Sequence, residues 1–207
     1  MCASTLKCRN RFGNVSRFPM RLILASASPR RSELLRNAGF TFEVLPADVE
    51  ESPRAGETAE EYTVRVARDK AAAAAAAAGD PSAVVIAADT EVVIDRRILG
   101  KPQNDADADR MLRLLSNAAH DVLTAVVIWA QGREQAEVVV TRVWFVGMTD
   151  AEIDWYVRSG EPRGKAGAYA IQGLGARFID RIEGSWSNVV GLPIHTVHRM
   201  IAGLEYP

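Results

Sequence analysis

The chain has few cysteines, and both of them lie near its start. Cys2 and Cys8 have no neighbouring residues at metal-ligand spacing, and no cysteine follows in the rest of the sequence. This pattern excludes a disulfide framework and gives no reason to predict export. Long apolar runs are lacking as well, since no stretch approaches the roughly 20 residues that a membrane-spanning helix needs. We therefore expect a cytoplasmic protein without a membrane partner.

An excess of basic residues is also lacking, although the charge is unevenly distributed. The formal net charge of the 207 residues is −1, but residues 1–20 contain four basic residues and no acidic one. The remainder holds 21 basic and 26 acidic residues, a net charge of −5. General nucleic-acid binding needs a basic face, so this balance argues against a nucleic-acid partner. Residues 21–207 are long enough for one α/β domain, or for two lobes that share a sheet.

Residues 1–20 form a basic N-terminal extension with two open explanations. The segment lacks the apolar stretch of a secretory signal, and its arginine content is compatible with an organellar presequence. The alternative is a start codon assigned too early, because Met20 directly precedes the first predicted strand. Under either explanation we expect a disordered tail, with the folded domain beginning at residue 21.

Residues 22–31 predict a buried strand that runs into a turn and a helix. Ser28 is a favourable N-cap, and the proline after it suits the first helical position. Arg30 and Arg31 are unexpected there, because cations are disfavoured at the positive end of a helix dipole. An anion bound by both arginines and by free backbone N–H groups would explain them, with small side chains such as Ser26 letting it approach. The alternative is an ordinary strand–helix turn with solvated arginines.

Two further places in the sequence concentrate carboxylates beside predicted strands. A short strand over residues 41–45 leads into the acidic loop 47–53, whose carboxylates, Glu51 among them, repel one another unless solvent or a cation separates them. The apolar run 83–88 is typical of a strand covered on both faces, Asp89 follows at the end of this run, and residues 92–94 continue the strand. Burial of Asp89 would carry a desolvation cost that a metal, a cation or hydrogen bonds usually offset. A solvated acidic loop is the simpler explanation of the first place.

Two lysines stand at positions that are not informative when each is taken alone. Lys70 lies on a long helix that a Thr-x-x-Glu capping box opens at Thr58, ahead of eight alanines that indicate helix propensity only. Lys101 lies in a Gly-Lys-Pro turn. Most lysines on helices and in turns are solvated, so only nearby acidic groups or a ligand would give these two a function.

The rest of the chain predicts regular elements around a glycine-rich segment at residues 164–176. Glycines at this density indicate backbone bends and close ligand approach. His120, at a predicted strand start, is expected to make a structural hydrogen bond, because no nucleophile is available to complete a triad with it. The predicted elements are a helix over 105–115, hairpin strands over 120–129 and 137–145, a helix opened by a capping box at Thr149, a strand over 177–182, a polar turn at 184–188 and a closing helix over 189–201.

Several of these segments together resemble the Maf-like nucleoside triphosphate pyrophosphatases, relatives of the inosine triphosphate pyrophosphatases. Each motif is weak alone, but their joint order and spacing over residues 21–205 are specific. The motifs are residues 25–31, 50–51, 70–71, 88–90, 100–102, 115–116 with His120, 165–167, 171–173 and 188–193. The chain departs from the family pattern at Asn117 and Ala118, where Gly-Arg is usual, and at Gly164, where Asp is common.

The resemblance implies a mixed twisted sheet with flanking helices, in two lobes around a central cleft. It implies hydrolysis of a nucleoside triphosphate to the monophosphate and pyrophosphate, with Asp89 as proton acceptor and with Lys70 and Lys101 neutralising the substrate's charge. Glu51 and Asp89 would hold a divalent metal ion, Mg²⁺ or Mn²⁺. The residues expected to bind the substrate or select its base are Ser26, Ser28, Arg30, Arg31, Thr90 and Gln172.

The tripeptide at residues 171–173 resembles the family branch that prefers dTTP and UTP, which implies nucleotide-pool sanitation as the biological role. A homodimer is an open possibility. Two other functions stay open: a nucleotide-sensing regulator of cell division and septum formation without turnover, and a phosphatase that releases inorganic phosphate. Magnesium-dependent turnover separates the enzyme from the sensor, and product analysis separates the two enzymes.

Overall fold

A computed structural model describes residues 21–204, so the prediction for residues 1–20 lies outside the described part. In chain order the elements are β1 (Leu22–Leu24), α1 (Pro29–Asn37), β2 (Glu43–Val44), α2 (Ala59–Ala78), β3 (Val84–Ile94), β4 (Arg97–Leu99), α3 (Asp105–Leu115), β5 (Ala119–Ala130), β6 (Arg133–Phe145), α4 (Asp150–Arg158), two 3₁₀ turns (Ala166–Ala168 and Leu174–Phe178), β7 (Ile179–Glu183), α5 (Trp186–Val190) and α6 (Ile194–Ala202).

The seven strands form one mixed sheet in the order β2, β1, β3, β5, β6 and β7, with β4 paired to β3. Strand β1 runs parallel to both β2 and β3. The pairs β3–β4, β3–β5, β5–β6 and β6–β7 are antiparallel. Helices cover the sheet, so the expected α/β class with a mixed sheet is confirmed. No helix in residues 21–204 is long and apolar enough to cross a membrane.

Local signals set several of these boundaries as the sequence predicts. The capping boxes at Thr58 and Thr149 are both formed in full, with side chain and backbone bonded reciprocally. Helix α3 spans the predicted residues 105–115. Between β5 and β6, Gln131 and Gly132 both have positive φ, which matches the two-residue turn that suits a twisted hairpin.

The predicted closing helix over 189–201 is wrong, because two helices occupy this stretch. Gly191 adopts φ +121°, outside the helical range, and ends α5. Pro193 lacks a backbone N–H and serves as N-cap of α6. The residues 184–188 predicted as a polar turn already contain the first residues of α5.

The predicted strands over 41–45 and 177–182 also need correction. The first pairs with β1 only at Glu43 and Val44. In the second, residues up to 178 form a 3₁₀ turn before β7 begins at Ile179. Strand β3 continues through Asp89 to Ile94, which agrees with the predicted continuation over residues 92–94.

The buried apolar side chains form separate clusters, and these clusters correspond to the two lobes. Near β1, apolar side chains on one sheet face meet α1 and α6, and those on the other face meet α2. Buried alanines of α2, Ala67, Ala71 and Ala74, belong to that second cluster, so part of the alanine run lets the helix lie close to the sheet. A separate cluster joins the far ends of β3, β5 and β6 to α3 and α4. The main members of the cluster that meets α1 and α6 are Leu24, Leu35, Ile86, Val126 and Leu192. The main members of the cluster around α3 and α4 are Leu112, Leu115, Val122, Val143 and Tyr156.

Strand β3 has a gap along one edge where the two lobes meet. Its first residues, 84–86, pair with β1, and its last residues, 92–94, pair with β4 on the same edge. Residues 87–91 have no strand neighbour on that edge within the described chain, while β5 covers the opposite edge throughout. Asp89 and Thr90 therefore lie at a gap between the two strands that pair with this edge of β3.

His120 is buried, and its Nε2 atom lies 2.8 Å from the hydroxyl oxygen of Tyr169, as expected for a structural histidine. Burial lowers the pKa of His120 from 6.5 to about 4. The unfolded chain then takes up a proton at a higher pH than the folded one. Stability is therefore lost as the pH falls from about 6.5 towards about 4, and this residue contributes no pH dependence well above that range.

When the pH falls from neutral to about 5, the lowered pKa of His120 should reduce the free energy of unfolding by about 2 kcal/mol, since each pKa unit corresponds to about 1.4 kcal/mol. Urea unfolding of the native chain and of His120→Gln at both pH values measures how the free energy of unfolding changes with pH in each protein. Equal pH slopes for the two proteins would show that folding does not lower the pKa of His120.

Candidate active site

The cleft beside β3 contains a cavity that gathers every residue predicted for the site. Segments far apart in sequence line it: the β1–α1 corner, the acidic loop, α2, the middle of β3, the turn after β4, β5, the glycine-rich segment and the end of α5. The predicted residues in its walls are Ser26, Ser28, Arg30, Arg31, Glu51, Lys70, Asp89, Thr90, Lys101 and Gln172.

Alternating lysines and carboxylates form a chain of ion pairs across the cavity. The ammonium of Lys70 lies 2.6 Å from Oε1 of Glu51 and 2.7 Å from Oδ1 of Asp89. The Nζ atom of Lys101 lies 2.8 Å from Oε2 of Glu51. The side chains of Lys70 and Asp89 are each only 9% exposed, whereas that of Lys101 is 60% exposed. The inner pair is thus desolvated and the outer lysine faces solvent.

Glu51 remains ionised because two cations share it. Burial alone would raise the pKa of Glu51, but the hydrogen bonds from Lys101 and Lys70 outweigh burial and lower it to about 2. Its loop is anchored by the hydroxyl of Tyr62 on α2, which donates to the backbone oxygen of Glu51 at 2.8 Å. The turn that carries Lys101 is held by the N–H of Gly167, which donates to the oxygen of Gly100 at 3.1 Å.

Glu91 is a third carboxylate of the cavity, and sequence reasoning did not select it. It lies two residues after Asp89 on the same strand, so both side chains project from one face of the sheet. Burial, together with the charge of Asp89, raises the pKa of Glu91 to about 8. The strand alternation that pairs the two residues was readable from the sequence.

Oxygen atoms at these carboxylates fit a hard divalent cation. Oδ2 of Asp89 and Oε2 of Glu91 are buried and have no hydrogen-bond partner among the described residues. Within residues 21–204, no three His, Cys, Asp or Glu side chains converge closely enough to hold an ion by themselves. Mg²⁺ is usually bound by one or two carboxylates, with waters and substrate phosphates completing its octahedron. The donor set therefore suits a metal that arrives with a phosphate ligand.

On the opposite face of β3, Arg31 is built into the protein. Its guanidinium donates to the backbone oxygen of Gly191 at 2.7 Å, to Oγ of Ser26 at 3.2 Å and to Oγ1 of Thr90 at 3.0 Å. Oγ1 of Thr90 also lies 3.0 Å from Oγ1 of Thr124 on β5. These bonds tie the β1–α1 corner to the loop after α5, so Arg31 supports the wall of the cavity. Its direct contact with an anion stays a prediction.

Arg30, the other arginine of the corner, has no ion pair or hydrogen bond with any residue in the described range 21–204. It is half-buried, and burial lowers the pKa of its guanidinium. Ser28 is the N-cap of α1, as predicted, but its side chain does not cap the helix, and its N–H donates to Oγ of Ser26 at 3.2 Å. Arg30 is thus the corner's cation that remains available to a ligand.

Lys165 and Gln172 line the cavity from the glycine-rich segment. Burial and, secondarily, the charge of Arg30 lower the pKa of Lys165. With Arg30, Arg31, Lys70 and Lys101, this lysine gives five cationic groups against three carboxyl groups in the walls. An excess of positive charge around a metal-compatible carboxylate set suits a polyphosphate.

A model of the Maf-like protein family matches residues 21–204 of this chain. The chain belongs to the Maf-like family. A dTTP/UTP pyrophosphatase of Vibrio vulnificus is 48% identical over 181 residues, covering 87% of this chain and 97% of that protein. A dTTP/UTP pyrophosphatase of Koribacter versatilis is 52% identical over 182 residues, covering 88% and 93%. Among solved structures, the Staphylococcus aureus Ham1 protein matches with a TM-score of 0.46 and 17% identity, over 88% of this chain and 98% of that one.

In this Maf-like chain, motif resemblance selected residues that do share one cavity, but it left out two of their neighbours. Glu91 lies one residue beyond the motif at residues 88–90, which contains Asp89. Lys165 lies within a quoted motif, yet its closeness to Arg30 arises only when the glycine-rich segment folds back over the β1–α1 corner.

Proposed function

We propose that this Maf-like chain hydrolyses nucleoside triphosphates, dTTP and UTP first among them, to the monophosphate and pyrophosphate. The observation that carries the proposal is the buried Lys70–Asp89 pair at the centre of a cavity rich in cations. Relatives about half identical to the chain over nearly their whole lengths are dTTP/UTP pyrophosphatases, which supports the same reaction class. The removal of unwanted nucleotides from the pool is the corresponding biological role.

Each side of the cavity has a distinct task in this reaction. Lys70, Lys101, Arg30 and Lys165 bind the triphosphate, as positively charged groups that offset its negative charge. Glu51 and Asp89, with Glu91 beside them, would hold a divalent ion, Mg²⁺ or Mn²⁺. Such an ion supplies Lewis-acid polarisation of the phosphate and lowers the pKa of a coordinated water.

Asp89 is the group that we assign to the proton of the attacking water. Its Oδ1 atom accepts from Lys70, which fixes the carboxylate, while Oδ2 has no partner among the described residues. The water oxygen bonds to the α-phosphorus as its proton passes to the carboxylate. The bond from the α-phosphorus to the α–β bridging oxygen breaks, and pyrophosphate leaves with that oxygen.

The decisive experiment identifies the product. Purified chain is incubated with dTTP and MgCl₂, and inorganic phosphate is measured before and after addition of an inorganic pyrophosphatase. We expect phosphate only after that addition, equimolar dTMP, and no turnover in excess EDTA. Phosphate released directly would identify a phosphatase, and nucleotide binding without turnover would identify a sensor. The names of the relatives do not favour the sensor.

Arg30 and Arg31 are expected to differ in effect although they are adjacent. Arg30→Ala should weaken binding of a non-hydrolysable dTTP analogue by about 1.5–3 kcal/mol, the usual contribution of a hydrogen bond to a charged group, and leave apo stability unchanged or slightly higher. Arg31→Ala should lower apo stability by about 1–3 kcal/mol, because the backbone oxygen of Gly191 and the hydroxyls of Ser26 and Thr90 lose their donor.

Calorimetric titration and thermal unfolding of both variants measure the two quantities. A loss of apo stability in Arg30→Ala with unchanged binding would mean that this arginine is structural and that the anion argument fails.

The proposal also includes a cytoplasmic location, for which the lack of cysteine in residues 21–207 is the supporting observation. The negative balance of the same residues supports the absence of a nucleic-acid partner. A homodimer stays an open prediction.

A further inference from the structure

Glu161 lies just after α4 and holds the segment that carries Gln172. Its Oε1 atom accepts from the hydroxyl of Tyr156 at 2.8 Å and from the N–H of Gly175 at 2.9 Å. Its Oε2 atom accepts from the N–H of Leu174 at 2.9 Å. A single carboxylate thus satisfies two consecutive backbone donors, which begin two residues after Gln172.

Tyr156 extends this hold to the other end of the same segment. Its hydroxyl oxygen accepts from the N–H of Ala170 at 3.2 Å while it donates to Glu161. The ring of Tyr156 is fully buried in the cluster around α3 and α4. Backbone on both sides of residues 171–173 is therefore tied to Tyr156 on α4 and to Glu161 just after α4.

The fit around Glu161 is too close for a side chain at Gly173. A Cβ atom there would lie 2.5 Å from Oε2 of Glu161, and the backbone has φ +100°, which favours glycine. At Gly175 a Cβ atom would lie 2.5 Å from the oxygen of Ala170 and 2.6 Å from the hydroxyl of Tyr156. The two glycines let the segment fold around the carboxylate.

Gln172 itself takes no part in this scaffold. No hydrogen bond joins its amide to another residue in the described range, and it lines the cavity together with Ile171. The scaffold therefore fixes the backbone at Gln172 and leaves the amide available for a ligand. Glu161 also contacts a second residue of the cavity wall, because the ammonium of Lys165 donates to the backbone oxygen of Glu161.

We propose that Glu161 is a positioning residue for base selection, which acts by fixing the backbone from which Gln172 meets the nucleobase. The inference rests on the proposed function, since it requires a nucleotide in the cavity. The Gln172 amide discriminates between bases only when its donor and acceptor are held in register with the base edge, and a mobile segment would let either edge be accommodated. Loss of the carboxylate should therefore lower selectivity much more than turnover.

The test compares two substrates that differ at the pyrimidine edge, dTTP and dCTP. We expect Glu161→Gln, which loses one of the two accepting oxygens, to reduce the ratio of their kcat/KM values about tenfold or more, with kcat for dTTP within about threefold of the native value. Tyr156→Phe removes the hydroxyl and keeps the ring, so it should shift the ratio in the same direction. Asp154 is an exposed carboxylate on α4, the helix that carries Tyr156. Asp154→Asn is therefore the matched control and should leave the ratio unchanged.

A double-mutant cycle shows whether Glu161 acts through Gln172. Gln172→Ala should lower the ratio in the native background and change it little further in Glu161→Gln, because the two residues would serve one interaction. An unchanged ratio in both Glu161→Gln and Tyr156→Phe, with a reduced ratio in Gln172→Ala, would overturn the positioning role alone. An unchanged ratio in Gln172→Ala would overturn base reading by that amide and this inference with it, while pyrophosphate release would still stand.

Discussion

Asp89→Asn is expected to lower kcat for dTTP by about a hundredfold or more while nucleotide binding is largely retained, as is common when a general base is lost. Asparagine preserves the shape of the side chain and one oxygen that can accept from Lys70. The partnerless atom Oδ2, however, is replaced by an amide nitrogen that can neither accept a proton nor ligate a cation. Steady-state kinetics and titration with a non-hydrolysable dTTP analogue separate the two effects.

The control for this variant is Asp48→Asn in the acidic loop. It makes the same change of charge at an exposed position and should leave kcat unchanged. Near-native turnover of Asp89→Asn, or full activity of the native chain in excess chelator, would contradict metal-assisted hydrolysis centred on this carboxylate.

Elements whose determinants lie within a few residues were predictable from the sequence. The capping boxes at Thr58 and Thr149 each use a residue and its third neighbour, so the helix starts follow from local chemistry. The closing helix failed for an equally local reason, since Gly191 and Pro193 were both present as breaking signals. A continuous apolar pattern on either side of them concealed the break.

Predictions at the centre of the site depended on contacts that the sequence does not display. A carboxylate inside a buried strand is unfavourable by itself, and the sequence left open whether a metal, a cation or hydrogen bonds offset the cost of burying Asp89. The structure supplies a cation, because Lys70, 19 residues earlier on α2, forms an ion pair with Asp89 at 2.7 Å that offsets the burial. Local reasoning sees the cost of such a residue but not its distant partner.

The division of work between Arg30 and Arg31 was also beyond the sequence. Helix periodicity turns adjacent residues about 100° apart, so one of the two had to face the protein, but the pattern does not tell which. The choice depends on the backbone oxygen of Gly191, 160 residues later in the chain, which accepts from Arg31. Glu161 was overlooked for the same reason, because its partners are backbone N–H groups 13 and 14 residues away.

Gln172 has the chemistry to read a pyrimidine edge. Its amide offers a donor and an acceptor side by side, and the edge of thymine or uracil presents a carbonyl and an N–H together. The competing view, in which Gln172 merely ties the glycine-rich segment, loses force because Glu161 and Tyr156 tie that segment and the amide is unbonded within the described range. A base with the wrong edge would leave the amide unpaired, which costs about 1–3 kcal/mol.

We therefore expect the native chain to show higher kcat/KM for dTTP and UTP than for dATP, GTP and N7-methyl-GTP, and Gln172→Ala to lose most of this preference. The loss should amount to about 5- to 150-fold in the ratio of kcat/KM values, the equivalent of the unpaired amide. Pyrophosphate release across the nucleotide panel measures it, with Gln135→Ala on the exposed part of β6 as the matched control. N7-methyl-GTP as the best substrate would contradict the assignment to the dTTP and UTP branch and leave the pyrophosphatase chemistry intact. A preference that survives in Gln172→Ala would instead assign base reading to another wall of the cavity, where Arg30 and Thr90 are the residues predicted to bear on it.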